Sequence, residues 1–303
     1  MMNEKFLFPS EPSVYHLNDI AVIRLEGPDA EKYLNGQVTC DVTALPIGQS
    51  TLGAHCTPKG KVLAVFRLLK RNQDLLMLYK KELADVQLAE LKKYAVFSKV
   101  TISDVSEQYD ILGIAGAGTD IWQATQVKSG SFTEINWIQI NPDRWFFLKE
   151  KEQPLNLSLP ECIAVNWKAL DIIDGIPQLS KQTQTEFIPQ ALNLQALHGI
   201  SFTKGCYTGQ EIVARAKYRG ANNRALYILK GSVNQPITTE TVIERQVGEH
   251  WRISGTILDV WQQKNQVLLS VVLPSDTLPD SIFRVENDQT STLTLIPVPY
   301  SVE

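Results

Sequence analysis

The chain has 303 residues, 44% hydrophobic and 20% charged, a composition that excludes a disordered or collagen-like chain. Its formal net charge of −4 does not indicate general nucleic-acid binding, although a local basic face can bind RNA in an acidic protein. At roughly 150 residues per domain, the length predicts two domains.

Cysteine usage and hydropathy indicate the compartment. The four cysteines are scattered without a C-x-x-C pair, which fits a reducing compartment better than a disulfide framework. No stretch approaches the roughly 20 apolar residues of a membrane span, and the first residues do not read as a signal peptide. We therefore expect a cytoplasmic protein without a membrane partner. We also expect a monomer.

The first half of the chain alternates strand and helix patterns, which is typical of a mixed α and β region. Residues 14–27 alternate as one strand, and a short helix follows through Leu34. The further elements predicted are strands at 61–70 and 74–80, a helix within 81–97, a strand from near Phe97, and a strand, helix, strand and strand at 109–118, 119–127, 133–140 and 143–150.

The second half of the chain lacks the alternation of strand and helix patterns seen in the first half. Residues 177–208 have weak periodicity and predict a long ordered loop, a kind of segment that is often functional. After about residue 224, short strands separated by Gly, Asn, Gln and Pro predict a small all-β domain, a barrel.

Residues 203–211, Thr-Lys-Gly-Cys-Tyr-Thr-Gly-Gln-Glu, place a thiol before a predicted helix. Thr208 and Glu211 have the spacing of a capping box, with Thr208 as N-cap and Gly220 ending the helix. Cys206 then lies two residues before the helix start, where the helix dipole and Lys204 favour the thiolate. The alternative is a buried cysteine in a tight turn.

Residues 201–230 carry six cations against one acid, a local balance of 6 − 1 = +5. The cations are Lys204, Arg215, Lys217, Arg219, Arg224 and Lys230, and the acid is Glu211. Such a face suits a polyglutamate tail, a phosphate or an RNA backbone, and the alternative is a solvated helix surface.

Other motifs are weaker. The glycines of residues 113–120 have the wrong order for a dinucleotide fingerprint and favour a strand-to-helix turn. Cys40, His55 and Cys56 have no fourth ligand at zinc-site spacing, so we expect packed core residues and predict no metal. Asp171 and Asp174 share a helix face, and exposed surface acids are the favoured interpretation.

The run from Phe187 to Leu226 contains the motif K-G-C-Y-x-G-Q-E and resembles the signature of the YgfZ family. These are folate-binding proteins of bacterial iron–sulfur cluster metabolism and tRNA modification. The similarity extends over nearly the whole chain, through GPDAEKYLNGQVTCDV, GAHCTPKGK, ELKKYAVFSKV, PDSIFRVEND and PVPYSVE.

The resemblance implies a fold similar to the T-protein of the glycine cleavage system, with α+β modules around a central folate cavity over residues 1–224 and a C-terminal β-barrel over 225–303. It implies tetrahydrofolate as the cofactor, Trp167 as a folate contact, and Cys206 and Lys204 as the reactive pair. Supporting positions carried over in the same way are Tyr207, Gly209, Gln210, Glu211, Arg215, Arg224 and Asp174.

Three departures qualify this transfer. Ile20 stands where relatives carry a second folate-contacting tryptophan, and Ile173 stands where the T-protein carries a glutamate, with Asp174 beside it. Ala64 and Val65 replace the acid pair that polarises the amine in T-proteins, so aminomethyl transfer is not expected.

We therefore expect a folate-binding accessory protein rather than a conventional enzyme. Its partners would be folate together with iron–sulfur client enzymes and assembly proteins. Two alternatives stay open: a tetrahydrofolate-dependent one-carbon transferase with an unknown acceptor, and a direct tRNA-binding module that uses the basic face at 204–224.

Overall fold

The computed structural model describes residues 8–128, 137–152, 157–220 and 222–302. The strands among these residues form two five-stranded sheets and one seven-stranded sheet. The predicted α+β architecture with a C-terminal antiparallel β domain is confirmed. None of the helices in the described ranges is long and apolar enough to cross a membrane.

The first sheet has the order β3-β4-β5-β2-β6, with antiparallel neighbours. Its strands are β2 (Ile20–Glu26), β3 (Ser50–Cys56), β4 (Val62–Lys70), β5 (Asp74–Lys80) and β6 (Thr101–Asp104). Strand β5 reads Leu-Leu-Met-Leu-Tyr because both of its faces are buried. Met77 belongs to the core under the helices, and Leu76 faces the second sheet.

The second sheet has the order β10-β1-β7-β9-β8, in which β10 runs parallel to β1. Its strands are β1 (Ser13–His16), β7 (Tyr109–Ala115), β8 (Trp137–Asn141), β9 (Arg144–Glu150) and β10 (Glu161–Cys162). The first four residues of the strand predicted at 133–140 lie outside the described residues.

The single strand predicted over 14–27 is wrong, because the chain crosses between the two sheets there. Strand β1 ends at His16 and β2 begins at Ile20, with a turn at Asn18 and Asp19 between them. Asn and Asp favour turns because their side chains bond locally to the backbone. The apolar alternation continues across this turn, so periodicity alone does not reveal it.

The helices agree with the sequence pattern except at their ends. The α-helices are α1 (Ala30–Asn35), α2 (Ala84–Tyr94), α3 (Thr119–Lys128), α4 (Val165–Ile173) and α5 (Gln210–Arg219). The strand expected from near Phe97 begins only at Thr101, and Phe97 itself is fully exposed. The glycine run at 113–120 is a strand-to-helix turn, as predicted.

The C-terminal sheet is antiparallel, with the order β13-β12-β16-β17-β11-β15-β14. Its strands are β11 (Arg224–Ser232), β12 (Ile243–Val247), β13 (His250–Ile253), β14 (Thr256–Gln263), β15 (Gln266–Pro274), β16 (Ile282–Val285) and β17 (Thr292–Ile296). Helix α4 joins this sheet to the rest, because Ile172 packs with Trp261 and Leu268.

The ordered loop predicted at 177–208 is present, with a short 3₁₀ helix at Pro189–Leu192. Its backbone bonds to β4, where Thr185 N–H donates to the Val62 carbonyl. Buried Asn193 donates to the Leu226 carbonyl and accepts from the Leu226 N–H, which fixes the loop to β11. The loop is therefore held along its length.

Cys40, His55 and Cys56 are packed core residues, as expected. Burial raises the pKa of both thiols to about 12. His55 Nδ1 lies 2.8 Å from Gln87 Oε1 of α2, and burial lowers the pKa of the imidazole below its ordinary value of 6.5.

Because His55 is buried with a lowered pKa, we expect the unfolding free energy of the protein to fall in acid. The unfolded chain, in which histidine has its ordinary pKa, takes up a proton before the folded chain does, so stability is full above pH 6.5 and falls as the pH drops below it. The expected slope is at most about 1.4 kcal/mol per pH unit. Urea unfolding at pH 7.5, 6.5 and 5.5 measures it.

In His55→Asn this part of the slope should disappear, whatever the variant's stability at pH 7.5. His250→Asn, in the exposed β12–β13 hairpin, is the control and should keep the wild-type slope. Identical slopes in wild type and His55→Asn would contradict the assignment.

Candidate functional site

A cavity of about 330 Å³ lies where the first two sheets, α4 and the C-terminal sheet meet. The turn between β1 and β2 forms one wall, so the crossover between sheets also builds the site. Its volume is in the range of small-molecule sites. The lining residues are His16, Leu17, Asn18, Asp19, Ile20, Leu52, Val65, Phe66, Arg67, Leu78, Tyr79, Lys80, Phe146, Ala164, Val165, Trp167, Lys168, Asp171, Ile176, Gln178 and Asp259.

Trp167 is the central aromatic group of the cavity wall. Its ring is 4% exposed and meets Tyr15 edge-on, with 5.4 Å between centroids, and Phe146 at 5.3 Å. Gly113 of β7 lies directly against the indole, and an added Cβ would overlap the ring. The Trp167 Nε1 is buried and has no hydrogen-bond partner among the described residues. A buried donor of this kind is available to a ligand.

Behind Trp167 lies a buried ion-pair network centred on Arg144, a residue that the sequence did not single out. Arg144 is 1% exposed, and its guanidinium carbon lies 4.3 Å from the Trp167 ring centroid. Its Nη2 contacts Asp171 Oδ1 at 2.7 Å, and its Nη1 donates to Asp174 Oδ2. Asn141 also donates to that Asp174 oxygen at 2.9 Å.

The expectation that Asp171 and Asp174 are exposed surface acids is therefore wrong. Their side chains are 13% and 23% exposed. A buried guanidinium requires counter-charges, and two acids one helical turn apart provide them. Burial raises the pKa of Asp171, with Arg144 acting in the opposite direction. No local pattern marks Arg144, because its partners are 27 and 30 residues away in sequence.

Of the departures from the T-protein pattern, Ile20 lies in the cavity wall and Ile173 does not. Ile20 lines it, so an aliphatic side chain stands at the position expected for a second tryptophan. Ile173 packs instead with the α4 and Trp261 cluster, and Asp171 is the α4 carboxylate in the lining. Arg67, also in the lining, has its pKa lowered to about 10 by burial.

The Cys206 segment is held by a lysine that turns inward. Lys204 Nζ donates to the carbonyls of Asn35, Val38 and Cys40, each at 2.6 Å. Burial lowers the pKa of Lys204 to about 8. Cys206 is exposed, so the alternative of a buried cysteine in a tight turn is wrong. Lys204 therefore anchors the segment that presents the thiol.

The predicted capping box is also wrong. The N-cap of α5 is Gly209, at φ 84°, and no side chain caps the helix. A Cβ on Gly209 would stand 2.6 Å from the Thr57 carbonyl oxygen, so close packing on the 57–60 turn and the positive φ both require glycine. Glu211 pairs instead with Arg215 at 2.8 Å. Cys206 thus lies three residues before the N-cap, not two before the helix.

Three segments that carry the family resemblance meet around this thiol. Lys204 binds residues 35–40, Thr208 N–H donates to the Gly36 carbonyl, and Gly209 packs on residues 57–60. Tyr207 is buried beside them, and burial raises its pKa. None of the described residues at 201–230 lines the cavity, so Cys206 and Trp167 belong to two separate sites.

Several cations of the basic face at 201–230 already have partners within the protein, so fewer of them can bind an anionic ligand than their number suggests. Lys204 is turned inward, and Arg215 is paired with Glu211. Lys217 Nζ lies 3.8 Å from the Phe202 ring centroid. Arg224 is exposed, and Gln210 begins α5. Gly220 ends α5 in the left-handed conformation, as predicted.

Comparison with known proteins gives consistent results along the chain. A family model described as the YgfZ β-barrel domain matches residues 222–288, and one described as the GCVT N-terminal domain matches residues 11–141. The tRNA-modifying protein YgfZ of Vibrio atlanticus strain LGP32 is 42% identical, with 95% of this chain and 92% of the relative covered. The protein of that name from Escherichia coli O157:H7 is also 42% identical, with 95% and 93% covered.

A solved structure extends the similarity to the fold. The aminomethyltransferase T of the glycine cleavage system from Bartonella henselae superposes with a TM-score of 0.70. The alignment covers 98% of this chain and 88% of that chain at 13% identity, which shows a shared fold.

The Lys204 anchor predicts a stability effect. In Lys204→Met, three carbonyls lose their donor, and we expect the unfolding free energy to fall by about 3 kcal/mol, measured by urea unfolding. The thiol of Cys206 should also react faster with an aromatic disulfide reagent in native buffer, because the segment loosens.

Lys59→Met, at an exposed lysine in the neighbouring turn, is the matched control and should change neither quantity. Equal stability and thiol reactivity in Lys204→Met and wild type would contradict the anchoring role.

Proposed function

The chain belongs to the YgfZ family, and we propose that it is a folate-binding accessory protein that supports iron–sulfur cluster assembly or repair and thereby tRNA thiolation. Relatives at 42% identity carry the name tRNA-modifying protein, which supports a role in tRNA modification. The observation that carries the folate part of the proposal is the Trp167 cavity.

The cavity offers an aromatic ring and hydrogen-bonding groups of the kinds that a reduced folate requires. The flat face of Trp167 suits a pterin ring, and its unpartnered Nε1 supplies a donor. Asp171 and Arg67 offer an acceptor and donors to the amide-like pterin edge. Asp174 supports this arrangement indirectly, through Arg144. Bound there, tetrahydrofolate would supply a one-carbon carrier, while the protein residues bind and orient it.

Cys206 is the proposed reactive group of the second site, with Lys204 as its anchor. An iron–sulfur centre usually takes four thiolates. Among the described residues no group of three His, Cys, Asp or Glu could hold a metal ion. Cys206 therefore acts transiently on iron or sulfur, and a client or assembly partner supplies the other ligands. The surrounding motif residues Tyr207, Gly209, Gln210, Glu211, Arg215 and Arg224 support this surface.

The alternative is a tetrahydrofolate-dependent one-carbon transferase, which the shared fold with aminomethyltransferase T favours. The positions of the T-protein acid pair argue against it, since Ala64 is buried and Val65 lines the cavity. Neither side chain can polarise an amine. Sustained turnover of methylene-tetrahydrofolate with an amine acceptor, unchanged in Cys206→Ala, would favour the transferase over the accessory protein.

Folate binding depends on Trp167 in this proposal. We expect Trp167→Leu to raise the Kd for tetrahydrofolate by about 10-fold, measured by isothermal titration calorimetry. Trp167→Phe keeps a flat ring without the Nε1 donor and should lie between the two. Trp251→Leu is the matched control, because Trp251 also stacks on an arginine, Arg284, at 4.3 Å but lies outside the cavity. An unchanged Kd in Trp167→Leu would exclude this cavity as the folate site.

The thiol is tested separately, by complementation of a strain that lacks its own family member. Cys206→Ser should fail to restore tRNA thiolation while its folate Kd stays within twofold of wild type, because the two sites share no lining residue. Cys162→Ser, at a half-buried cysteine, is the control and should rescue. Full rescue by Cys206→Ser would show that the thiol is dispensable.

A further inference from the structure

Two lysines share one aspartate at the rim of the Trp167 cavity. Lys80 Nζ lies 3.4 Å from Asp259 Oδ2, and Lys168 Nζ lies 3.3 Å from Asp259 Oδ1. The three side chains come from β5, α4 and β14, so this cluster also joins the C-terminal sheet to the cavity. All three line the cavity.

The lysines retain hydrogen-bonding capacity. An ammonium group has three donors, and the described residues give Lys80 and Lys168 one acceptor each, the shared Asp259. Both contacts are longer than the roughly 2.7–2.9 Å of a strong charge-assisted hydrogen bond. The Asp259 side chain is only 6% exposed. Because its one carboxylate faces two ammonium groups, the cluster keeps one uncompensated positive charge. The other acids of the lining are Asp19, which is exposed to solvent, and Asp171, which is paired with Arg144.

The cluster lies at the open end of the cavity. The Lys168 side chain is 37% exposed and that of Lys80 is 17% exposed, whereas Trp167 is 4% exposed. Arg67 of the cavity wall is paired across the sheet with Leu78 of β5. Lys80 lies two residues further along β5, a distance of about 6.6 Å along the strand. The two lysines are thus the more exposed of these lining groups, and the solvent-facing end of a ligand that stacks on Trp167 lies on their side of the cavity.

We propose that Lys80 and Lys168 form a carboxylate subsite that binds the glutamate tail of the folate. This inference rests on the proposed folate site and adds to it where the charged end of the ligand is recognised. From the sequence, the basic residues at 201–230 also suit a polyglutamate tail. None of the described residues of that segment lines the cavity, so the subsite assigns the glutamate tail to Lys80 and Lys168 instead. Asp259 then has the role of holding both ammonium groups at the opening while the site is empty of ligand.

The test compares the proposed folate ligand, tetrahydrofolate, with its dimethyl ester, in which both glutamate carboxylates are blocked but the ring and linker are kept. Titration calorimetry gives the ratio of the ester Kd to the folate Kd for each variant. Wild type should favour folate by about 10-fold. In Lys80→Met and Lys168→Met the ratio should fall several-fold, with the ester Kd unchanged, because the ester does not use the lysines.

Asp259→Asn should move the ratio in the opposite direction, since it frees both ammonium groups, an effect that loss of packing would not produce. Lys149→Met, which removes a comparable lysine–aspartate pair in the second sheet, is the control and should keep the wild-type ratio. An unchanged ratio in both lysine variants, or an equal loss of both ligands, overturns the subsite while the folate site stands. If wild type binds neither ligand, the folate proposal and the subsite both fail.

Discussion

The arrangement of the cavity depends on the buried guanidinium of Arg144. A cation that is 1% exposed is costly unless it is paired and hydrogen-bonded, and Asp171 and Asp174 meet that requirement from one face of α4. The pairing fixes the rotation of α4 against the second sheet, which turns Trp167 into the cavity. The opposite face of the same helix packs on Trp261 of the C-terminal sheet. One charge cluster thus sets the position of the helix that both halves of the molecule share.

The sequence predicted the elements better than their junctions. Period-two and helical patterns identified most strands and helices because one or both of their faces are buried, as in β5. The crossover at Asn18 and Asp19 stayed hidden because the apolar alternation continues through it. The burial of Asp171 and Asp174 could not be predicted, since their partner Arg144 lies in another element. The N-cap at Gly209 is set by contact with the 57–60 turn, a tertiary constraint that a local Thr-x-x-Glu spacing does not contain.

The Trp167 cavity and Cys206 are separate in space but connected by one loop. Ile176 and Gln178 line the cavity where this loop begins, and at the other end Lys204 anchors it to residues 35–40, at the end of α1. Between them the loop bonds to β4 and, through Asn193, to β11. A segment held at so many points keeps a fixed geometry and does not act as a lid. The Trp167 cavity and Cys206 are therefore held in a constant relation to each other.

The four cysteines differ in how far solvent reaches their thiols. Cys40 and Cys56 are 2% and 1% exposed, and burial raises the pKa of both thiols to about 12, so neither is a ready nucleophile for a molecule in solution. Cys162 lies in the second sheet, where it pairs in register with Tyr15 beside Trp167. Cys206 is exposed, on a segment that packs on two others from the first half of the chain, residues 35–40 and 57–60. Of the four cysteines, Cys206 alone is exposed, so it is the thiol that a second molecule can reach without local unfolding of this chain.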